Sequence, residues 1–101
     1  MKSEEKFMNK EKQALIIRKY YQYLKLEKAL SPNTVNAYQT DLDKLLRFLK
    51  EENIAILDTT LDDLQHFASG LHDIGIHPRS QARILSGIKS FFHFLVVSDY
   101  L

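Results

Sequence analysis

The sequence predicts an all-α chain, a compact fold of four helices. Apolar residues recur at three- and four-residue steps in four successive stretches, where strands would alternate. The stretches are separated by helix-start and helix-stop signals, Ser31-Pro32, Thr60-Leu61-Asp62-Asp63 and Gly75-Ile76-His77-Pro78. With 101 residues, 45% of them hydrophobic, the chain suits a single domain with a core of its own.

The first helix is expected from about Lys10 to Lys28, with Ile17, Tyr20, Tyr21 and Leu24 as its inner stripe. Leu15, Ile16, Tyr23 and Leu26 give it a second apolar face, and residues 1–9 are expected to be a flexible N-terminus. The second helix opens on Ser31 as N-cap and Pro32 at the first helical position, where a missing N–H costs nothing. Val35, Tyr38, Leu42, Leu45, Leu46 and Leu49 form its inner stripe, and it ends near Glu52-Asn53. Ile54-Ala55-Ile56-Leu57 is a short apolar connector. The third helix starts at a capping-box-like Thr60 and turns Leu61, Leu64, Phe67, Ala68 and Leu71 inward, with Gly75 as its stop. The fourth follows Pro78, with Ile84, Leu85, Ile88, Phe91, Phe92 and Leu95 on its inner face.

Net charge is only +1, so overall basicity says nothing about a polyanionic partner; the distribution of charge does. Residues 51–73 hold Glu51, Glu52, Asp58, Asp62, Asp63 and Asp73 and no Lys or Arg. Residues 75–98 hold Arg79, Arg83 and Lys89 and no acid. One face should repel phosphate and another attract it. Cysteine is absent, which excludes disulfides and thiolate chemistry and fits a cytoplasmic protein. No apolar run approaches a membrane span, no secretory-type segment follows the N-terminus, and no membrane partner is expected.

Little in the chain suggests catalysis. His66, His72, His77 and His93 include no pair at the three- or four-residue spacing that places two ligands on one helical face. No metal and no cofactor is expected. Asp62 and Asp63 are better explained as helix N-terminal acids, and Tyr100 has no base or cationic cluster near it in sequence, which favours a packing role. The fourth helix is different. Arg79, Arg83, Ser86, Ser90 and His93 share its outer side, with Lys89 flanking them. An ordinary solvated face mixes Glu with Lys, whereas this one has no acid. Ser86, Gly87 and Ser90 stand in for long side chains, as close approach by a bulky partner would require. Arginine at 79 and 83 suits phosphate or guanine edges, and the serines can donate to phosphate oxygens. On the second helix, Ser31, Asn33, Thr34, Asn36 and Thr40 are dense in short hydrogen-bonding groups, at a helix end whose free N–H groups favour an anion.

Residues 26–42, Leu-Glu-Lys-Ala-Leu-Ser-Pro-Asn-Thr-Val-Asn-Ala-Tyr-Gln-Thr-Asp-Leu, resemble the start of the Xer-type tyrosine recombinases and phage-type integrases. Residues 80–95, Ser-Gln-Ala-Arg-Ile-Leu-Ser-Gly-Ile-Lys-Ser-Phe-Phe-His-Phe-Leu, are similar to a later helix of the same family, and Thr60-Leu61-Asp62-Asp63-Leu64 lies where its acidic third helix belongs. The resemblance covers roughly Ile16 to Leu101. It implies a SAM-like core-binding domain spanning 10–98, the N-terminal half of a clamp that closes around double-stranded DNA. It further implies that the second and fourth helices face the major groove and that the first touches other recombinase subunits.

On this resemblance the DNA-binding residues are Ser31, Asn33, Thr34, Asn36, Thr40 and Lys44 from the second helix. From the fourth they are Arg79, Arg83, Ser86, Lys89 and Ser90. Strand cleavage in the family belongs to a following catalytic domain, so this non-catalytic piece is expected to be monomeric alone, with residues 99–101 beginning a linker. The chain departs from many relatives at Gln39-Thr40 and near Ser90, where they carry basic residues; phosphate contact then rests more on Lys44, Arg47, Arg79, Arg83 and Lys89. A rival expectation is a helical protein-interaction module using Phe91/Phe92 and Tyr20/Tyr21. A helix-turn-helix regulator is disfavoured by the length of chain from Leu71 to Arg79.

Overall fold

The computed structural model describes the backbone of residues 2–101 and the side chains of residues 10–101. The chain is all-α: α1 (Lys2–Leu26), α2 (Pro32–Glu51), α3 (Leu61–Asp73) and α4 (Pro78–Val97), with one 3-10 turn at Ile56–Asp58 and no strand among the described residues. The expectation of a flexible segment over residues 1–9 falls outside the described side chains. The fold divides into two compact units between Gln39 and Thr40.

The first unit holds α1 and the opening turns of α2. Ile16, Tyr20 and Leu24, four residues apart, are buried, as is Val35. The expected stripe is therefore shifted: Ile17 and Tyr21 are only half-buried, because positions next to each other on a helix both flank Tyr20 and periodicity cannot rank them. Leu15 and Leu26 lie open at 44% and 80% exposure and Tyr23 is half-buried, whereas Ile16, expected with them on a second apolar face, belongs to the core.

The second unit holds the rest of α2 with α3 and α4. Leu42, Leu45 and Leu49 from α2, Ile56 from the 3-10 turn, Phe67 and Leu71 from α3, and Ile84, Ile88, Phe91, Phe94 and Leu95 from α4 are its buried apolar residues. Phe48 meets Phe67 with ring centroids 5.5 Å apart, an aromatic contact between α2 and α3. Leu61, expected inward, is 73% exposed: as the first residue of α3 it overhangs the core. The start of α3 follows the sequence expectation. Thr60 accepts the Asp63 N–H at 3.1 Å while Asp63 accepts the Thr60 N–H at 2.9 Å, a complete capping box.

Each of the four helices is followed by a residue in the left-handed region: Ala29 (φ 52°), Asn53 (φ 60°), Gly75 (φ 83°) and Asp99 (φ 64°). After the last three, an N–H reaches back to a carbonyl five residues earlier, Ile54 to Leu49 at 2.8 Å, Ile76 to Leu71 at 3.1 Å and Tyr100 to Leu95 at 2.9 Å. This is the Schellman arrangement, which satisfies the free carbonyls of a helix end. In α3, Gly70 sits in helical backbone with nothing within 4 Å of where a Cβ would stand. Gly70→Ala is expected to stabilise the fold by about 0.5–1 kcal/mol through helix propensity, read as a rise of several degrees in a thermal melt.

Candidate nucleic-acid interface

Within the first unit, the start of α2 is organised by its own hydroxyls. Ser31 Oγ accepts the Thr34 N–H at 3.3 Å and lies 3.0 Å from Thr34 Oγ1. Ser31 thus caps the helix, and Thr34 turns back onto the cap. Asn33 and Asn36 are exposed beyond it.

Within the second unit, Thr40, Arg79, Arg83, Ser86 and Lys89 are exposed, and Lys44 and Ser90 are half-buried. Four of the five residues chosen on α4 therefore face solvent, on a helix whose underside is held by wholly buried Phe91 and Leu95. The opening of α4 is unusual in its charge. Pro78 occupies the first turn, no acid is present there, and Arg79 places a cation at the positive end of the helix dipole. His77 is the cap: its Nδ1 accepts the Arg79 N–H at 3.1 Å, while Gln81 Nε2 donates to the Ile76 carbonyl at 2.7 Å. Sequence reasoning weighed His77 among the histidines and as part of a lead-in, not as a cap; the signal was its position immediately before Pro78.

The central contact is one the sequence reading missed. Arg83 Nη1 donates to Asp41 Oδ2 at 2.8 Å, and the Asp41 side chain is 1% exposed while that of Arg83 is 53% exposed. Asp41 Oδ1 is buried without a hydrogen-bond partner. Gly87 lies against this carboxylate, a Cβ there standing 3.5 Å from Oδ2. Gly87 is buried beside Asp41 and leaves no gap for an outside partner, which corrects the expectation from sequence. Asp41 could have been found: it lies three residues after Tyr38 and four before Leu45, inside the apolar stripe.

Other features bear on the alternatives. Phe91 and Tyr20 are 0% exposed and Phe92 and Tyr21 half-buried, so the aromatic pairs invoked for protein docking belong largely to the interior. Tyr100 packs on Phe94 at 6.3 Å between centroids, a packing role. The link between α3 and α4 runs only from Ile74 to His77, so its length does not argue against a helix-turn-helix as the sequence suggested. An open groove of about 330 Å³ between α2 and α3 has a largely apolar wall of Phe48, Phe67, Leu71 and Ile74, rimmed by Lys44 and Arg47. Among the described residues, no helix is long and apolar enough to cross a membrane.

Residues 17–98 match the family described as phage integrase, N-terminal SAM-like domain. The chain is 38% identical to tyrosine recombinase XerD of Staphylococcus saprophyticus over 86 residues, which are 84% of this chain and 29% of that protein. It is 37% identical to tyrosine recombinase XerC of Pseudomonas fluorescens over 79 residues, 75% of this chain and 26% of the relative. With tyrosine recombinase XerC of Oceanobacillus iheyensis it shares 34% identity over 88 residues, 86% and 29% of the two chains. The chain thus spans less than a third of the length of these relatives. No solved structure gives a significant match.

Proposed function

Because this chain belongs to the family of phage integrase N-terminal SAM-like domains, we propose that it is the DNA-binding N-terminal part of a site-specific tyrosine recombinase or integrase. It holds recombination-site duplex, in the cytoplasm, for strand exchange by a catalytic domain elsewhere in the full-length protein. The observation that carries this reading is the outer face of α4. Arg79, Arg83, Ser86 and Lys89 are exposed there, and no acid lies between Gly75 and Ser98. Within the second unit, Thr40 and Lys44 of α2 and Ser90 of α4 are assigned to DNA as well, and in the first unit Ser31, Asn33, Thr34 and Asn36 are. The acids of residues 51–73 favour one approach of DNA over others. Leu15 and Leu26, exposed on α1, supply apolar surface for contact with other recombinase subunits.

The test is a titration of a fluorescein-labelled duplex with the 101-residue chain at several salt concentrations. If Lys44, Arg79, Arg83 and Lys89 each meet a phosphate, the logarithm of the binding constant should fall against log salt with a slope of about −3 to −4. Affinity then drops about a hundredfold between low and moderate salt. Binding that is absent, or indifferent to ionic strength, would overturn the reading.

A further inference from the structure

We propose that Asp41 is a positioning residue of the DNA-binding surface: it holds the Arg83 guanidinium by one edge and thereby aims the rest of the group at phosphate. The proposal rests on the DNA-binding reading above and assigns a role to an acid that no charge pattern would place in such a surface.

Three observations support it. Asp41 is enclosed at 1% exposure, so its position is fixed by the packing of α2. Its Oδ2 accepts from Arg83 Nη1 at 2.8 Å. The Arg83 side chain is nevertheless 53% exposed, so the pairing uses part of a group whose remainder faces solvent. A guanidinium has five N–H donors in a rigid plane, and fixing one leaves the others pre-aligned. A free surface arginine must lose its rotamer freedom on binding; this one has lost much of it beforehand.

Phosphate cannot simply take Arg83 away from Asp41. Oδ1 is already buried without a partner, so removing the Nη1 donor would leave neither carboxylate oxygen hydrogen-bonded. The guanidinium therefore serves the carboxylate and the phosphate together.

The experiment reads a sign. By charge alone, deleting an acid from a DNA-binding face strengthens binding; by positioning, deleting Asp41 weakens it. Binding to a fluorescein-labelled duplex of random sequence is compared at one moderate salt concentration for wild type, Asp41→Ala, Asp41→Asn and Asp43→Asn. Asp41→Ala should bind about tenfold more weakly than wild type. Asp41→Asn, neutral but still an acceptor, should recover part of the loss, and Asp43→Asn, an exposed acid on the same helix, should bind as well as wild type or better. In an Arg83→Ala background, Asp41→Ala should cost no further affinity.

Salt-sensitive binding by wild type with equal or tighter binding by folded Asp41→Ala overturns the positioning role and leaves the DNA-binding reading intact. No binding by wild type overturns both. Should Asp41→Ala fail to fold, arginine side-chain NMR on wild type decides. Slowed rotation of the Arg83 guanidinium that persists when duplex is added supports the proposal, and its loss in the complex overturns it.

Discussion

Phe91→Ala is expected to remove about 3–5 kcal/mol of folding stability, the largest single loss in this chain. Phe91 is 0% exposed at the middle of α4, in the line Ile84, Ile88, Phe91 and Leu95 that anchors the helix. Truncation deletes most of a ring from a packed interior, and the cavity left behind adds to the lost burial. A chain of this size has a total stability of about 5–15 kcal/mol, so the variant would sit near the folding threshold at ordinary temperature. Urea unfolding followed by circular dichroism measures the loss, and a change below about 1 kcal/mol would show that Phe91 is not the anchor described. Phe92→Ala is the comparison: that ring is half-buried and the loss should be clearly smaller.

Arg83→Ala should cost about 1–3 kcal/mol of stability with no DNA present. The cost arises at Asp41, which loses its donor while Oδ1 is already unsatisfied. It stays below the range for a fully enclosed ion pair because Arg83 is 53% exposed and its truncation lets water approach Oδ2. Asp41→Ala should cost less, since the guanidinium it releases is already half in solvent and rehydrates. The two variants are thus predicted to differ in stability in one order, and denaturant midpoints at matched m values decide it. A weakened DNA titration for Arg83→Ala, taken alone, would mix loss of contact with loss of fold. The stability measurement has to accompany it.

Most of the helical layout was legible from spacing and punctuation. The Thr60 box, Pro32, Pro78 and Gly75 each mark a boundary through local backbone chemistry, and local chemistry is what a sequence displays. Which of two neighbouring apolar residues is covered was less legible. Ile17 and Leu61 carry the right periodicity, yet one lies at the margin of the buried line and the other in the first turn, where coverage depends on distant chain. The exposed half of the candidate site was legible as surface: Arg79, Ser86 and Lys89 face outward as a helical wheel requires. Its buried half was not. A lone acid reads as surface and a lone glycine as a gap, and only their meeting across α2 and α4 shows that each explains the other.

The left-handed stops after α1 through α4 have a kinetic consequence. Each is formed within about one and a half turns of chain, so the helix ends are specified by local bonds. What remains for folding of the second unit is chiefly to bring pre-measured rods together. The bond between Asp41 and Arg83 spans 42 positions, and the entropy of closing that span grows only logarithmically with length. Refolding should therefore be rapid, because so much of the structure is set by contacts near in sequence.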